Sequence, residues 1–65
     1  MRLKELRKSK NLSQIRLAME LKLNQNTISR YENGEREPGI AELISIADYF
    51  DVSVDYLIGR TDKRN

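Results

Sequence analysis

Three side-chain amides, a guanidinium and a hydroxyl crowd into nine residues of this chain: Gln25, Asn26, Ser29, Arg30 and Asn33. If the segment is helical, a rotation of about 100° per residue puts Asn26, Ser29, Arg30 and Asn33 on one side. Ile28 and Tyr31 fall on the opposite side, and Gln25 projects from the first turn. Such side chains match the edges of base pairs: an amide can bond adenine bidentately and a guanidinium can do so with guanine. Each good pair discriminates by about 1–3 kcal/mol. A face that merely meets water favours Glu and Lys instead. The candidates for base reading are therefore Gln25, Asn26, Ser29 and Arg30.

A second feature follows from the same helical offsets. Arg7 lies one turn after Leu3, and Glu32 lies one turn after Ile28. Both charges lean toward the interior, where an unpaired charge is costly. The reading predicts an Arg7–Glu32 salt bridge that ties the first helix to the end of the third, with Arg7 also in reach of a phosphate.

These residues need short helices to position them. Apolar residues recur at three- and four-residue spacing with no strand alternation, which predicts an all-α domain of five helices. The first runs from about Arg2 to Lys10, with Leu3 and Leu6 inward and Asn11 as a left-handed terminator. Ser13 caps the second, from Gln14 to about Leu21, whose inward face is Leu17, Ala18 and Leu21. Lys22 and Leu23 form a tight turn, and Asn24 caps the third helix, which runs to about Asn33 and stops at Gly34. Glu35 to Pro38 form an exposed loop. A fourth helix spans Ile40 to Phe50, Ser53 caps a short fifth through about Ile58, and Gly59 ends it. Residues 1–59 form the domain, and residues 60–65 are expected to be a frayed, charged tail. Two helices joined by a three- or four-residue turn in so small a domain point to a helix-turn-helix.

Charge supports a polyanion on one face. Residues 1–34 carry eight basic side chains against three acidic ones, whereas residues 35–59 carry Arg36 against six carboxylates. A basic half joined to an acidic half suits a phosphate backbone met from one side. Gln14, in the first turn of the second helix, sits where free N–H groups and the positive end of the dipole favour a phosphate.

Other chemistry has little footing. The 65 residues include no histidine and no cysteine, so no metal site, disulfide or nucleophile–base pair is expected. No enzyme activity, cofactor or small-molecule ligand can be inferred. No apolar run approaches the roughly 18 residues that span a bilayer, and a soluble cytoplasmic protein is expected. The rival to nucleic-acid binding is a protein-interaction module, antitoxin-like or adaptor-like. It would use apolar residues expected at the surface: Ile15, Met19 and Ile40, with parts of Ile44, Val54, Tyr56 and Ile58. Of these, Val54, Tyr56 and Ile58 are also the candidate surface for a homodimer.

Several segments together carry a resemblance. They are Asn-Leu-Ser-Gln (11–14), Leu-Ala (17–18), Asn-Thr-Ile-Ser-Arg-Tyr-Glu-Asn-Gly (26–34), Pro38, Ile-Ala-Asp-Tyr-Phe-Asp-Val-Ser (46–53) and Asp-Tyr-Leu-Ile-Gly (55–59). With them the chain resembles the Cro/C1-type helix-turn-helix family, the lambda-repressor-like domains, over residues 1–59. That resemblance implies a compact five-helix fold and sequence-specific binding of double-stranded DNA, most commonly as a repressor. It implies base contacts from Gln25, Asn26 and Arg30, and phosphate or sugar contacts from Gln14, Thr27 and Asn33, with Arg7 supplied by the first helix. It further implies a homodimer on a two-fold operator, each chain reading one half-site.

Some positions depart from the family pattern. Ile15 and Arg16 stand where acidic residues are common, so Arg16 opposes the helix dipole unless a phosphate lies close. Lys22 replaces the usual turn glycine, which implies either strain at positive φ or a different turn. Glu35 and Glu37 make a usually basic loop acidic, and Gly39 is a weaker cap than serine.

Overall fold

In a computed structural model that describes residues 1–65, five helices follow one another: α1 (Leu3–Ser9), α2 (Gln14–Leu21), α3 (Gln25–Glu32), α4 (Ile40–Phe50) and α5 (Val54–Leu57). The all-helical expectation holds, with the first and last helices shorter than their periodicity suggested. None is long and apolar enough to cross a membrane.

All five helices end the same way. A residue with positive φ follows or closes each last turn: Asn11, Lys22, Gly34, Asp51 and Gly59. Its N–H and the next one both fold back onto the helix's own carbonyls. At α2 these are Lys22 N–H to Met19 (3.3 Å) and Leu23 N–H to Ala18 (2.8 Å). At α3 they are Gly34 N–H to Tyr31 (3.3 Å) and Glu35 N–H to Arg30 (2.9 Å). This double closure satisfies carbonyls that a helix end otherwise leaves unpaired. What comes next differs with the residue after the turn. Leu12, Leu23 and Val52 pack on or in the core, and the chain enters another helix at once. Glu35 and Arg60 are exposed, and the chain leaves into a loop or the tail.

The new helices start from side-chain caps. Ser13 accepts from the Arg16 N–H, Asn24 from Thr27 and Ser53 from Tyr56. Gly39 offers α4 no side-chain cap, as expected, although the Glu42 carboxylate lies over it.

The core is made by Leu3 and Leu6 of α1, Leu17 and Ala18 of α2, Ile28 and Tyr31 of α3, Ile46, Ala47 and Phe50 of α4, and Val52, Tyr56 and Leu57. Leu3, Leu17, Ile28, Ile46 and Leu57 are fully buried, one from each helix. With no staple available, this convergence of apolar side chains supplies the stability.

One expectation at the C-terminal end is corrected. Tyr56 is a core residue, 6% exposed, because its ring packs inward and is covered by Arg2, whose guanidinium carbon lies 4.3 Å from the ring centroid. It is therefore not available to a dimer surface, whereas Val54 is half-buried and Ile58 exposed. The tail lies back against the domain in this structure. Its Thr61 carbonyl and Asp62 carboxylate accept from Arg2, and its Arg64 carbonyl accepts from the Ser53 N–H at 2.6 Å.

Candidate nucleic-acid interface

α3 owes its placement to its two ends and its inner stripe. At the start, Asn24 Oδ1 accepts both the N–H and the hydroxyl of Thr27, at 2.8 and 2.9 Å. The turn before it takes the positive-φ option, with Lys22 at φ 59°. Along the middle, Ile28 and Tyr31 enter the core. The closing turn is held by charge.

Arg7 Nε donates to Glu32 Oε2 at 2.6 Å and Arg7 Nη2 to Glu32 Oε1 at 3.2 Å, a two-pronged pair between α1 and α3. Arg7 Nη1 donates to the Leu12 carbonyl at 2.7 Å, tying in the α1–α2 turn. Gln14 adds a third helix to the cluster, its Nε2 donating to Glu32 Oε1 at 3.1 Å. Gln25 Nε2 reaches Gln14 Oε1 at the long distance of 3.5 Å. The side chains of Arg7 and Glu32 are only 10% and 2% exposed, so each charge depends on the other. Burial alone raises the Glu32 carboxyl. The hydrogen bonds from Arg7 and Gln14, with the charges of Arg7 and Lys4, outweigh it and hold the group below its ordinary value.

The offsets that predicted the Arg7–Glu32 pair thus bring those two residues together, but they missed Gln14 and the Leu12 carbonyl. A signal for Gln14 existed. Gln25 and Glu32 are seven residues apart, two turns on one flank of α3, and that flank looks toward the start of α2. The further expectation, that Arg7 also reaches a phosphate, concerns the complex with DNA; in the protein alone Arg7 turns inward. Nε, Nη1 and Nη2 each give one N–H to these bonds, which leaves two of the five N–H groups of the largely buried guanidinium for another acceptor.

On the outside of α3, Gln25, Asn26, Arg30 and Asn33 are exposed, and Ser29 is half-buried. Asn33 Nδ2 lies 3.5 Å from Ser29 Oγ. Asn26 and Arg30 have no internal side-chain partner and keep all their hydrogen-bonding capacity for something outside. Thr27 is half-buried at the helix start. Gln14 is half-buried by its bond to Glu32, and Arg16 is exposed and paired with Glu20 at 3.2 Å. That pair answers the misplaced charge of Arg16 locally, one turn along α2. The group brought together is thus one polar ridge on α3, flanked by the first turn of α2. Glu35, Arg36 and Glu37 stand exposed at the far end of the ridge.

The geometry is that of a helix held rigidly by its inner side and both ends, with an unpartnered polar outer side. Comparison with known proteins agrees. A family profile described as helix-turn-helix matches residues 3–57. The HTH-type transcriptional regulator AnsR of Bacillus subtilis is 41% identical over 63 residues, which are 97% of this chain and 54% of AnsR. The cryptic phage CTXphi transcriptional repressor RstR of Vibrio cholerae is 37% identical over 59 residues, 91% of this chain and 53% of RstR. The HTH-type transcriptional activator BcrR of Enterococcus faecalis is 37% identical over 57 residues, 88% of this chain and 28% of BcrR. The chain spans about half the length, or less, of these curated relatives. No solved structure matches it. With α2 and α3 joined by the Lys22–Asn24 turn and the match running through all five helices, this chain belongs to the Cro/C1-type helix-turn-helix family.

Proposed function

We propose that this chain binds double-stranded DNA as a sequence-specific transcriptional regulator, with α3 in the major groove. One observation carries the reading: the outer side of α3 offers Gln25, Asn26, Ser29 and Arg30 to solvent while the inner side is fully engaged. Eight residues of helix are about 12 Å long, comparable to the roughly 12 Å width of the groove. Gln14, Thr27, Asn33 and Arg16 flank that side and are assigned to phosphates and sugars. The relatives' names support regulation. Repression follows the name of RstR, and a promoter reporter distinguishes it from activation, the sign in the name of BcrR.

The regulator acts as a homodimer on a two-fold operator, with half-sites about one helical turn apart. Exposed Ile40, Ile44 and Ile58 and half-buried Val54 supply apolar surface for the second copy. Selection of bound duplexes from a random pool tests the whole reading. Enrichment of a two-fold site is expected, and Arg30→Ala should relax one base position at a cost of about 1–3 kcal/mol. No enrichment, or enrichment that survives loss of Gln25, Asn26 and Arg30 together, would sink it.

A second reading, a protein-interaction module, draws on Ile15 and Met19. They stand one turn apart on the outer side of α2, 56% and 66% exposed. It is preferred only if Ile15→Lys and Met19→Lys abolish function in cells while duplex binding is unchanged.

A further inference from the structure

Arg2 makes an unusual number of bonds for a residue at a chain end. Its N–H donates to the Leu57 carbonyl at 2.7 Å, and its Nε donates to the Tyr56 carbonyl at 2.9 Å. Its Nη2 donates to the Thr61 carbonyl at 3.1 Å and to Asp62 Oδ1 at 2.8 Å. The same guanidinium covers the Tyr56 ring, and Arg64 comes back to that ring with its own guanidinium carbon 5.5 Å from the centroid. The Arg64 carbonyl closes the path on the Ser53 N–H at the start of α5. Residues 60–65 contain no apolar side chain, and composition alone would leave them loose. They are held instead by Arg2 and by the face of Tyr56.

Five residues beyond Arg2, on the same short helix, Arg7 holds Glu32. Between them Leu3 and Leu6 are locked in the core. α1 has seven residues and no side-chain cap at Arg2. A helix so short has little stability of its own, and its first turn depends on whatever fixes Arg2. We infer that residues 60–64 form a strap that, through Arg2 and α1, sets how firmly Arg7 and Glu32 hold the DNA-facing helix. A strap in place keeps α1 wound from its first residue and Arg7 in register with Glu32. Release of the strap unwinds the start of α1 and loosens the end of α3. The consequence for DNA rests on the proposed function, whereas the link between strap and α3 does not.

The test follows from three tryptic sites in the strap, after Arg60, Lys63 and Arg64. Wild type, Arg2→Ala, Arg2→Lys and Asp62→Ala are compared by tryptic cleavage there and by amide hydrogen exchange along α3, both without DNA. In Arg2→Ala, cleavage is expected about tenfold faster, and exchange at the Glu32 and Asn33 amides several-fold faster. Arg2→Lys keeps the charge but lacks the fork that bonds Tyr56, Thr61 and Asp62 together, so it should resemble Arg2→Ala. Asp62→Ala leaves every residue of α1 in place and still frees part of the strap, so it reports even if Arg2→Ala folds poorly; a smaller change in the same direction is expected. A wild-type tail cut as fast as that of Arg2→Ala would overturn the strap. A freed strap with unchanged exchange at Glu32 and Asn33 would overturn its link to α3. Because neither readout involves DNA, a chain that bound no operator would leave both results standing.

Discussion

α3 and α5 are entered through nearly the same turn and held in different ways. Lys22 and Asp51 take φ/ψ of 59°/39° and 56°/47°. An apolar residue follows each (Leu23, Val52), and a capping side chain follows that, Asn24 or Ser53. Both helices also end on a glycine with positive φ. Yet four-residue α5 puts Tyr56 and Leu57 into the core, and eight-residue α3 puts in no more, Ile28 and Tyr31. The backbone plan is the same; the packing is not. A helix that must keep its outer side polar cannot wrap itself in core, so the end of α3 is fixed by a buried ion pair that α5 has no need of. Such a pair is costly to desolvate but directional, which suits a helix whose angle matters more than its burial.

The two helices should differ most at Leu57, which is fully buried. Leu57→Ala is expected to cost about 2–5 kcal/mol in urea unfolding, a large part of the stability of so small a domain. The molecules that remain folded should bind DNA with nearly unchanged affinity, because the Leu57 side chain serves the core and the substitution keeps the carbonyl that accepts from Arg2. A loss of intrinsic affinity as large as the loss of stability would show that α3 and α5 are not held separately.

Removing the ion pair tests the other side. Glu32→Ala leaves Arg7 buried with the Leu12 carbonyl as its remaining partner, and a cost of about 2–3 kcal/mol is expected. Unlike Leu57→Ala, it should also weaken DNA binding per folded molecule, since the end of α3 is freed. Acid provides an independent readout. The folded-state pKa of Glu32 lies below its unfolded value, so its contribution is complete above the unfolded value of about 4.3 and is lost as pH falls through the folded value. Glu32→Gln should therefore flatten the fall of stability with pH below about 4. An acid limb identical to that of wild type would show that the pair adds nothing net.

What could be read in advance followed from how local each cause was. Ser13, Asn24 and Ser53 act on the residues just after them, so the helix starts were legible. The two faces of α3 follow from rotation per residue alone. Arg7 and Glu32, 25 positions apart, were legible because each stood out on its own helix as a charge leaning inward. Gln14 was harder, since an amide in a first turn satisfies many roles, and the one signal for it, the two-turn spacing of Gln25 and Glu32, points to Gln14 only once α2 is placed beside that flank. Tyr56 was misread, and the contacts of the tail were not foreseen, for a stronger reason. Their partner, Arg2, is 54 residues from Tyr56, and a charged run without periodicity gives no sign of what it will meet.

The smallest expected effect separates the two entry turns themselves. Left-handed φ crowds the Cβ of any L-residue, but Asp and Asn tolerate it better than Lys because a short polar side chain can bond locally. Lys22 should therefore be the more strained of the pair, although Lys22 and Asp51 share one geometry. Lys22→Gly removes the clash at the price of a looser unfolded chain, and a net gain of about 0.5–1 kcal/mol in urea unfolding is expected. Asp51→Gly should gain less, since it relieves less strain for the same unfolded-state entropy. The ordering carries the argument, because both substitutions meet the same unfolded-state penalty and differ only in what they relieve. Equal gains would mean that the turn, not the side chain in it, sets the strain.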